Sequence, residues 1–530
     1  MVNLQHLIDA LLIPAAYTYA VEDVEVRQTH ISAVFLAGPF VYKLKKPVKY
    51  EFLDFSSLDK RLHYCEEEAR LNRRLAPEVY LGVVPITSSV AGFQFEGSGT
   101  VVEWAVKMRR LPADATLLER IKQGEVMPGM VELVARRLAT FHREADSNDR
   151  ISSFGKFGSV ARSIGDVLDR ASRQAGKACS EAVVHRVRKL IVEALDRQRL
   201  LIEARAARGM PRDFHGDLHL DHIYVFPELP PLGDIVIIDC IEFSEQFRYI
   251  DPVADMAFII MDFAVHGWRD LGNLFADAHF NETGDQEGRE LLPLYTSYRA
   301  CVRALVDELL LAETEVPVAE RDKAAQRARA HWLLALSEIE APDWKPCLLL
   351  VGGLPGSGKS LLAASLAERG GFQVIRSDVV RKELANLPSR IHARLEDRGW
   401  LYSTEWTERT YLECLRRAEV EIFNGNRVLV DATFHEEKYR QLFLKAACRW
   451  GILAIMLICE AEPETIRTRL EARHEDASDA DWNVCLQLAD TWEASDEVTK
   501  RYSRIVPSGG SPEHTVNAAL DILREQGLQG

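Results

Sequence analysis

The stretch Gly353-Leu354-Pro355-Gly356-Ser357-Gly358-Lys359-Ser360 decides how this chain is read. An apolar run, Cys347 to Val351, precedes it, and an apolar helical pattern, Leu361 to Ala367, follows. Strand, glycine-rich turn and helix in that order are the setting a phosphate-binding loop requires. The glycines let backbone N–H groups close around phosphate oxygens, and the helix start adds partial positive charge. Residues Gly353 through Leu361 are therefore the expected nucleotide contact. Lys359 is expected to reach the outer phosphates and Ser360 to hold Mg²⁺.

Downstream, Val374-Ile-Arg376-Ser-Asp378 reads as a second strand ending in a carboxylate, with Arg381 three residues further on. Val428 to Asp431 is a third apolar strand ending in an acid, a natural metal-side carboxylate acting through water. Arg467, Arg469 and Arg473 put three guanidiniums near one helix, before the polar turn His474 to Asp479. Strand patterns at 347–352, 372–376, 427–431 and 452–459 alternate with helical ones, so a parallel sheet covered by helices is expected.

That α/β unit fills only the last third of a chain of 530 residues, too long for one core. Ala341-Pro-Asp-Trp-Lys-Pro346 reads as the linker, giving domains at 1–340 (core about 25–310) and 347–530. The net charge of −15 argues against broad nucleic-acid binding. The nine cysteines show no paired spacing and read as buried thiols of a reducing compartment. No apolar run approaches the length of a membrane span, and the first residues lack a basic leader, so a soluble cytoplasmic protein is expected.

In the first domain, 24–52 alternates like strands around a turn at Gly38-Pro39, and 58–76 reads as a charged helix. His215-Gly216-Asp217-Leu-His219-Leu-Asp221-His222 lies before a strand, and Asp239 ends the apolar run Ile235 to Ile238. Two aspartates at loop and strand edges suit phosphoryl transfer, one taking a hydroxyl proton and the other holding Mg²⁺. Lys43 sits in a strand, and a helix with Glu66, Glu67 and Glu68 follows. A strand lysine paired to a helix glutamate grips nucleotide phosphates in kinase folds. Lys45, Lys46 and Lys49 are alternatives to Lys43, but as a basic cluster they read as a solvated loop. His219 and His222 read as structural rather than as a metal pair.

Residues 25–310 resemble the aminoglycoside phosphotransferase family, which has a protein-kinase-like α+β fold. The resemblance implies Asp217 as catalytic base, Asp239 as metal ligand, Asp255 as loop support, Lys43 as phosphate clamp and Glu68 as its partner. The family's metal-binding Asn falls on His222, so the resemblance leaves this half with a poorer Mg²⁺ ligand. Compensation by Asp221, use of Mn²⁺, or loss of turnover would follow from that departure.

Residues 346–510 resemble small AAA-type P-loop kinases, near polynucleotide kinases and zeta-toxin-like enzymes. This implies Asp378 as the residue activating an acceptor hydroxyl, Arg381 as a contact to a neighbouring phosphate, and Arg467, Arg469 and Arg473 as lid cations. Together the halves resemble bacterial bifunctional aminoglycoside phosphotransferase/ATP-binding proteins. The expectation is an α/β multidomain, ATP- and Mg²⁺-dependent phosphotransferase. Its acceptor would be an aminoglycoside, another sugar, a nucleoside or a polynucleotide 5′ end. The alternatives are a pseudokinase-like first half serving the P-loop half, and a non-catalytic ATP-dependent switch.

Overall fold

The structure is a computed structural model and describes residues 3–50, 53–90, 92–231, 233–311, 316–388, 399–472 and 480–530. The described chain divides into two compact units. The first comprises Met1–Ala161, Gln198–Phe263 and Arg269–Leu292, and the second Arg162–Arg197, Ala264–Trp268 and Pro293–Gly530.

In the first unit, alternating residues form β1 (Val24–Gln28), β2 (Ser32–Ala37) and β3 (Phe40–Lys45). Helix α1 (Leu58–Asn72) starts where the Ser57 side chain accepts the Lys60 N–H. Its buried residues Arg61, Cys65, Glu68, Ala69 and Asn72 recur at the helical period, so one face turns inward. Strands β4 (Tyr80–Ser89), β5 (Gly92–Phe95) and β6 (Thr100–Arg109) complete a six-stranded antiparallel sheet of order β1-β2-β3-β6-β4-β5. Phe35, Tyr42, Leu44 and Phe95 share one core, while Val106 and Met108 pack with Cys65 in another. Because side chains alternate along a strand, β3 sends Tyr42 and Leu44 to the first core and Lys43 and Lys45 toward α1.

Helix α2 (Pro128–Glu144), the hairpin β7 (Ile223–Val225) and β8 (Ile235–Ile237), and α3 (Pro252–Val265) build the helical remainder. An antiparallel sheet with a glutamate helix, followed by a helical part carrying a loop hairpin, is the protein-kinase-like α+β arrangement.

The second unit contains α4 (Leu292–Leu311, from Pro293 on) and α5 (Val318–Ile339). Its α/β part runs β9 (Cys347–Gly352), α6 (Lys359–Gly370), β10 (Gln373–Arg376), α7 (Ser377–Leu384), α8 (Thr404–Phe423), β11 (Val428–Asp431), β12 (Leu453–Glu460), α9 (Pro463–Glu471) and β13 (Ser503–Pro507). The sheet is parallel throughout, in the order β10-β11-β9-β12-β13. Every residue of the central β9 is buried, as both faces of a parallel sheet must be. The fifth strand, β13, is one the sequence pattern did not reveal.

The proline-rich stretch before β9 contains a short 3₁₀ turn, Pro342–Trp344. Compaction does not break there, since α4 and α5 belong to the P-loop unit. The reason is contact made by α5: its residues meet the helix Glu437–Arg449, and Glu340 just past its end pairs with Arg186 at 2.5 Å. Among the described residues no helix is long and apolar enough to cross a membrane, and all nine cysteines are free thiols.

Between α4 and α5, Glu308 is 1% exposed, and its Oε1 accepts the Trp332 indole N–H at 3.0 Å. Its Oε2 has no partner among the described residues. Burial pushes the Glu308 carboxyl up to about 7, against the pull of Trp332 and Lys177. The fold thus favours the protonated acid. This stability is complete below the ordinary value of 4.5 and is lost as pH rises through about 7. Glu308→Gln is expected to flatten that slope and raise the stability of the second unit near pH 8 by on the order of 2 kcal/mol. Urea midpoints near pH 5 and pH 8 for both proteins check it.

Candidate functional site

The face of α1 that turns inward carries Glu68, which is 0% exposed. A carboxylate so far from water needs cations, and β3 supplies two. Lys43 Nζ lies 2.9 Å from Glu68 Oε1, and Lys45 Nζ lies 2.6 Å from Oε2. Lys43 also meets Asp239 Oδ1 at 2.5 Å, and Lys45 bonds Glu242. Burial works to raise Glu68, but the two ammoniums hold it below its ordinary value. Burial works to lower Lys43, but Asp239 and Glu68 keep it charged and raise it well above. Lys45, which the sequence offered as an alternative to Lys43 or, with Lys46 and Lys49, as part of a solvated loop, is 1% exposed. The loop reading fails because Lys45 shares the inward face of β3 with Lys43, and its charge is met there rather than by water.

Asp239 follows β8 with φ +66, a left-handed turn that Asp tolerates better than most residues. Its N–H reaches the Tyr80 hydroxyl at 3.2 Å, and the next N–H, of Cys240, reaches Asn72 Oδ1 at 2.8 Å. Burial works to raise Asp239, but Lys43 and His222 hold it well below the usual carboxylate range.

The His215–His222 segment is held from beneath by Asp255 of α3, 0% exposed. Its Oδ1 accepts the Gly216 N–H at 2.8 Å; its Oδ2 accepts the His215 N–H at 3.3 Å and faces His142 Nε2 at 3.1 Å. His142 Nδ1 in turn meets His279 at 3.0 Å, a buried relay that no sequence signal announced. His215 donates Nε2–H to the Ile238 carbonyl at 2.9 Å, and burial lowers its ring to about 4. Asp217 Oδ1 lies 3.0 Å from His219 Nε2, and Asp262 flanks the other ring nitrogen at 3.6 Å. Burial works to lower His219, but these two carboxylates lift it to about 10. His222 donates Nδ1–H to the Asp217 carbonyl at 2.9 Å, because a carbonyl can only accept. Its Nε2 then faces Asp239 Oδ2 at 3.8 Å. The structure therefore gathers Lys43, Glu68, Asp217, His222, Asp239 and Asp255 at one place.

In the second unit the phosphate-binding loop joins β9 to α6. Gly358 caps the helix at φ +97 and Gly356 sits at φ +80. A Cβ on Gly356 would come 2.9 Å from Leu470. Ser357 is 1% exposed, and its Oγ has no partner among the described residues. An orphaned hydroxyl within a cradle of left-handed glycines fits a bound phosphate chain. Lys359 Nζ rests 3.4 Å from the Leu354 carbonyl, and Pro355 O receives the Cys485 thiol at 3.6 Å. A cavity of about 520 Å³ opens beside the loop, lined by Gly356, Gly358, Lys359, Ser360, Leu361, Arg469 and Ser508 among others.

Asp431 ends β11 in register with Val351 of β9 and Arg376 of β10. It is 4% exposed, and burial raises its carboxyl, opposed by Lys359, the Ser360 hydroxyl and Arg376. Asp378, in the first turn of α7, contributes a like charge to Asp431. Arg376, Nε 3.3 Å from Asp431 Oδ2, is a functional candidate the sequence reading passed over.

The arginines separate. Arg469 donates to the Ser508 carbonyl at 2.7 Å and to the Ser357 carbonyl at 3.4 Å, so it stands at the loop. Arg467 faces solvent in a pair with Glu471 at 2.8 Å. Arg473 lies outside the described residues. Arg381 is 6% exposed; it donates to the Leu401 carbonyl at 2.8 Å and Thr407 Oγ1 at 3.2 Å, with its guanidinium over the Tyr402 ring. That guanidinium anchors the approach to α8.

Asp255→Ala would leave two buried loop N–H groups and the His142 ring without their acceptor. The first unit is expected to lose about 3 kcal/mol or more. Its urea midpoint should fall while nucleotide binding at the P-loop unit is retained.

Residues 348–494 match the family model for an AAA domain. Over 502 residues, 94% of this chain and 95% of theirs, the chain is 32% identical to the uncharacterized proteins Rv2004c of Mycobacterium tuberculosis H37Rv and Mb2027c of Mycobacterium bovis. Among solved structures, a gluconokinase from Sinorhizobium meliloti 1021 is similar at 20% identity, covering 34% of this chain and 94% of its own, with a TM-score of 0.25. A choline/ethanolamine kinase family protein from Mesorhizobium loti is similar at 16% identity, covering 62% and 93%, with a TM-score of 0.35. The fold assignment rests on the strand orders given above, and near-complete coverage at that identity shows that this chain belongs to the same family as Rv2004c.

Proposed function

We propose that this chain is an ATP-dependent phosphotransferase with two nucleotide sites, one in the kinase-like first unit and one in the second, P-loop unit. The observation that carries the reading is the convergence of Lys359, Ser360, Asp431 and Asp378 at the C-terminal edge of a parallel sheet, beside a glycine cradle. Ligands of open α/β sheets bind at that edge. The acceptor hydroxyl gives its proton to Asp378 as its oxygen bonds to the γ-phosphorus, the β,γ-bridge bond breaks, and ADP leaves. Lys359 and Arg469 counter the phosphate charge. In the first unit Asp217 takes the acceptor proton, and Lys43 clamps the phosphates.

Among the described residues no group of three or more His, Cys, Asp or Glu side chains forms a metal-holding cluster. The donors are few enough that phosphate oxygens and water would complete each shell, as is usual for Mg²⁺. Ser360 and Asp431 offer hard oxygen ligands in the second unit. Asp239 and His222 offer one carboxylate and, with Nδ1 donating to the Asp217 carbonyl, the ring Nε2. A divalent cation, when bound, neutralises charge across the transferring phosphoryl oxygens.

The acceptor bears a hydroxyl, of the sugar, nucleoside or polynucleotide 5′-end kind. Arg381 meets Leu401 and Thr407 through Nη1 alone, and its buried Nε has no partner among the described residues, which supports a phosphate contact on the acceptor side. A second reading makes the first unit a pseudokinase-like binding module; the imidazole at His222 favours it.

Transfer from labelled ATP to aminoglycosides, sugars, nucleosides and 5′-hydroxyl oligonucleotides tests these readings with wild type, Asp217→Ala and Lys359→Ala. Products lost in only one variant each would establish two kinases. Loss of every product in Lys359→Ala alone would leave the first unit as a binding module, and no transfer by wild type would sink the enzyme reading. The donor sets give a further expectation. In a Lys359→Ala background, nucleotide should bind the first unit more tightly with Mn²⁺ than with Mg²⁺. His222→Asn should remove the difference, a change of roughly tenfold in the ratio of dissociation constants. An unchanged ratio would show that His222 does not meet the metal.

A further inference from the structure

Kinase-like sites need one strand lysine and one helix glutamate. This chain has a second lysine on the same strand face. Lys45 is as buried as any core residue, at 1% exposed, and the Phe55 ring lies 5.0 Å from its ammonium. Its partners are Glu68, at 2.6 Å, and Glu242. Glu242 stands three residues past Asp239 in the same segment and is 8% exposed. Two rungs therefore join β3 to the segment 239–242: Lys43 to Asp239, and Lys45 to Glu242. Glu68 stands between the lysines with one oxygen on each.

We propose that Lys45 and Glu242 form a positioning pair, a latch that keeps Glu68 and Lys43 aligned toward the phosphates of a nucleotide bound in the first unit. The inference rests on reading that unit as a nucleotide site. Lys43 must turn from Asp239 toward phosphate when Asp239 takes a cation. The rung it leaves is then gone, and only Lys45–Glu242 still ties β3 to the metal-side segment. Lys45 also shares the charge of Glu68. A glutamate countered by Lys45 holds Lys43 less tightly, which leaves that ammonium available to an anion. Neither effect requires Lys45 to touch the nucleotide.

A pair that merely fills space could be replaced by apolar side chains without functional loss. Lys45→Met alone would strand Glu242 as a buried unpaired charge, so the informative variant is Lys45→Met/Glu242→Met. Made in a Lys359→Ala background, it would be titrated with trinitrophenyl-ATP and Mn²⁺ or Mg²⁺, with the urea midpoint measured alongside. The expected result is a folded protein whose midpoint falls because Glu68 keeps only Lys43 as counter-charge, with affinity weakened roughly tenfold, the size of an indirect positioning effect. Unchanged affinity in the folded double variant overturns the latch and leaves a packing pair. Should the double variant fail to fold, Glu242→Gln, which keeps Lys45 paired with Glu68, replaces it: a several-fold loss supports the latch and unchanged affinity overturns it. If the Lys359→Ala protein with an intact latch binds no nucleotide, the first unit is not a nucleotide site, and both readings fall.

Discussion

Glu68 is a carboxylate with no access to water, and the first unit is arranged around keeping it charged. An isolated buried carboxylate would take up a proton, whereas one between two ammoniums stays ionised. The need for those ammoniums fixes the register of β3 against α1, because only residues two apart on a strand can reach both oxygens of one glutamate. It also fixes Asp239 and Glu242, since each lysine carries a second carboxylate. Those two acids bring their segment, the Tyr80 hydroxyl and the Asn72 amide into place. The loop of Asp217 is fastened separately, by Asp255 below and by the Ile238 carbonyl, so Asp217 and Lys43 sit on independently supported elements.

The second unit solves its charge problem with backbone rather than side chains. A buried central strand delivers the chain to a turn whose left-handed glycines expose N–H groups, and the following helix adds its dipole. Asp431, raised by burial, is checked by Lys359, Ser360 and Arg376. The second unit thus leans on peptide dipoles, and the first on paired ions.

The P-loop and four of the five strands of its sheet were legible because each combines a residue type with a local pattern, whereas Lys43, Asp217, Asp239 and Asp255, which the structure brings together, were named through a family resemblance. Ser503–Pro507 was not, being a short edge strand of mixed polarity whose pairing with β12 is long-range. Lys45 was misread because lysines beside lysines usually face water; the alternation that pairs it with Lys43 was present, but its carboxylates come from 23 and 197 residues away. Arg381 has the sequence position of a substrate contact, and its engagement depends on Leu401 and Thr407, which spacing does not reveal. The membership of α4 and α5 in the P-loop unit is likewise a matter of tertiary contact, invisible to a proline-marked boundary.

The ionic cluster of the first unit also has a sign. Lys43 and Lys45 face three acids, Glu68, Asp239 and Glu242, the last with its carboxyl raised by burial, so the cluster carries no net positive charge. Such a cluster offers a polyphosphate approaching alone no net attraction. The phosphate loop of the second unit presents the reverse arrangement, with Lys359, Arg376 and Arg469 set against Asp378 and Asp431. The two halves of one chain thereby weight their charged clusters in opposite directions, the first toward acids and the second toward cations.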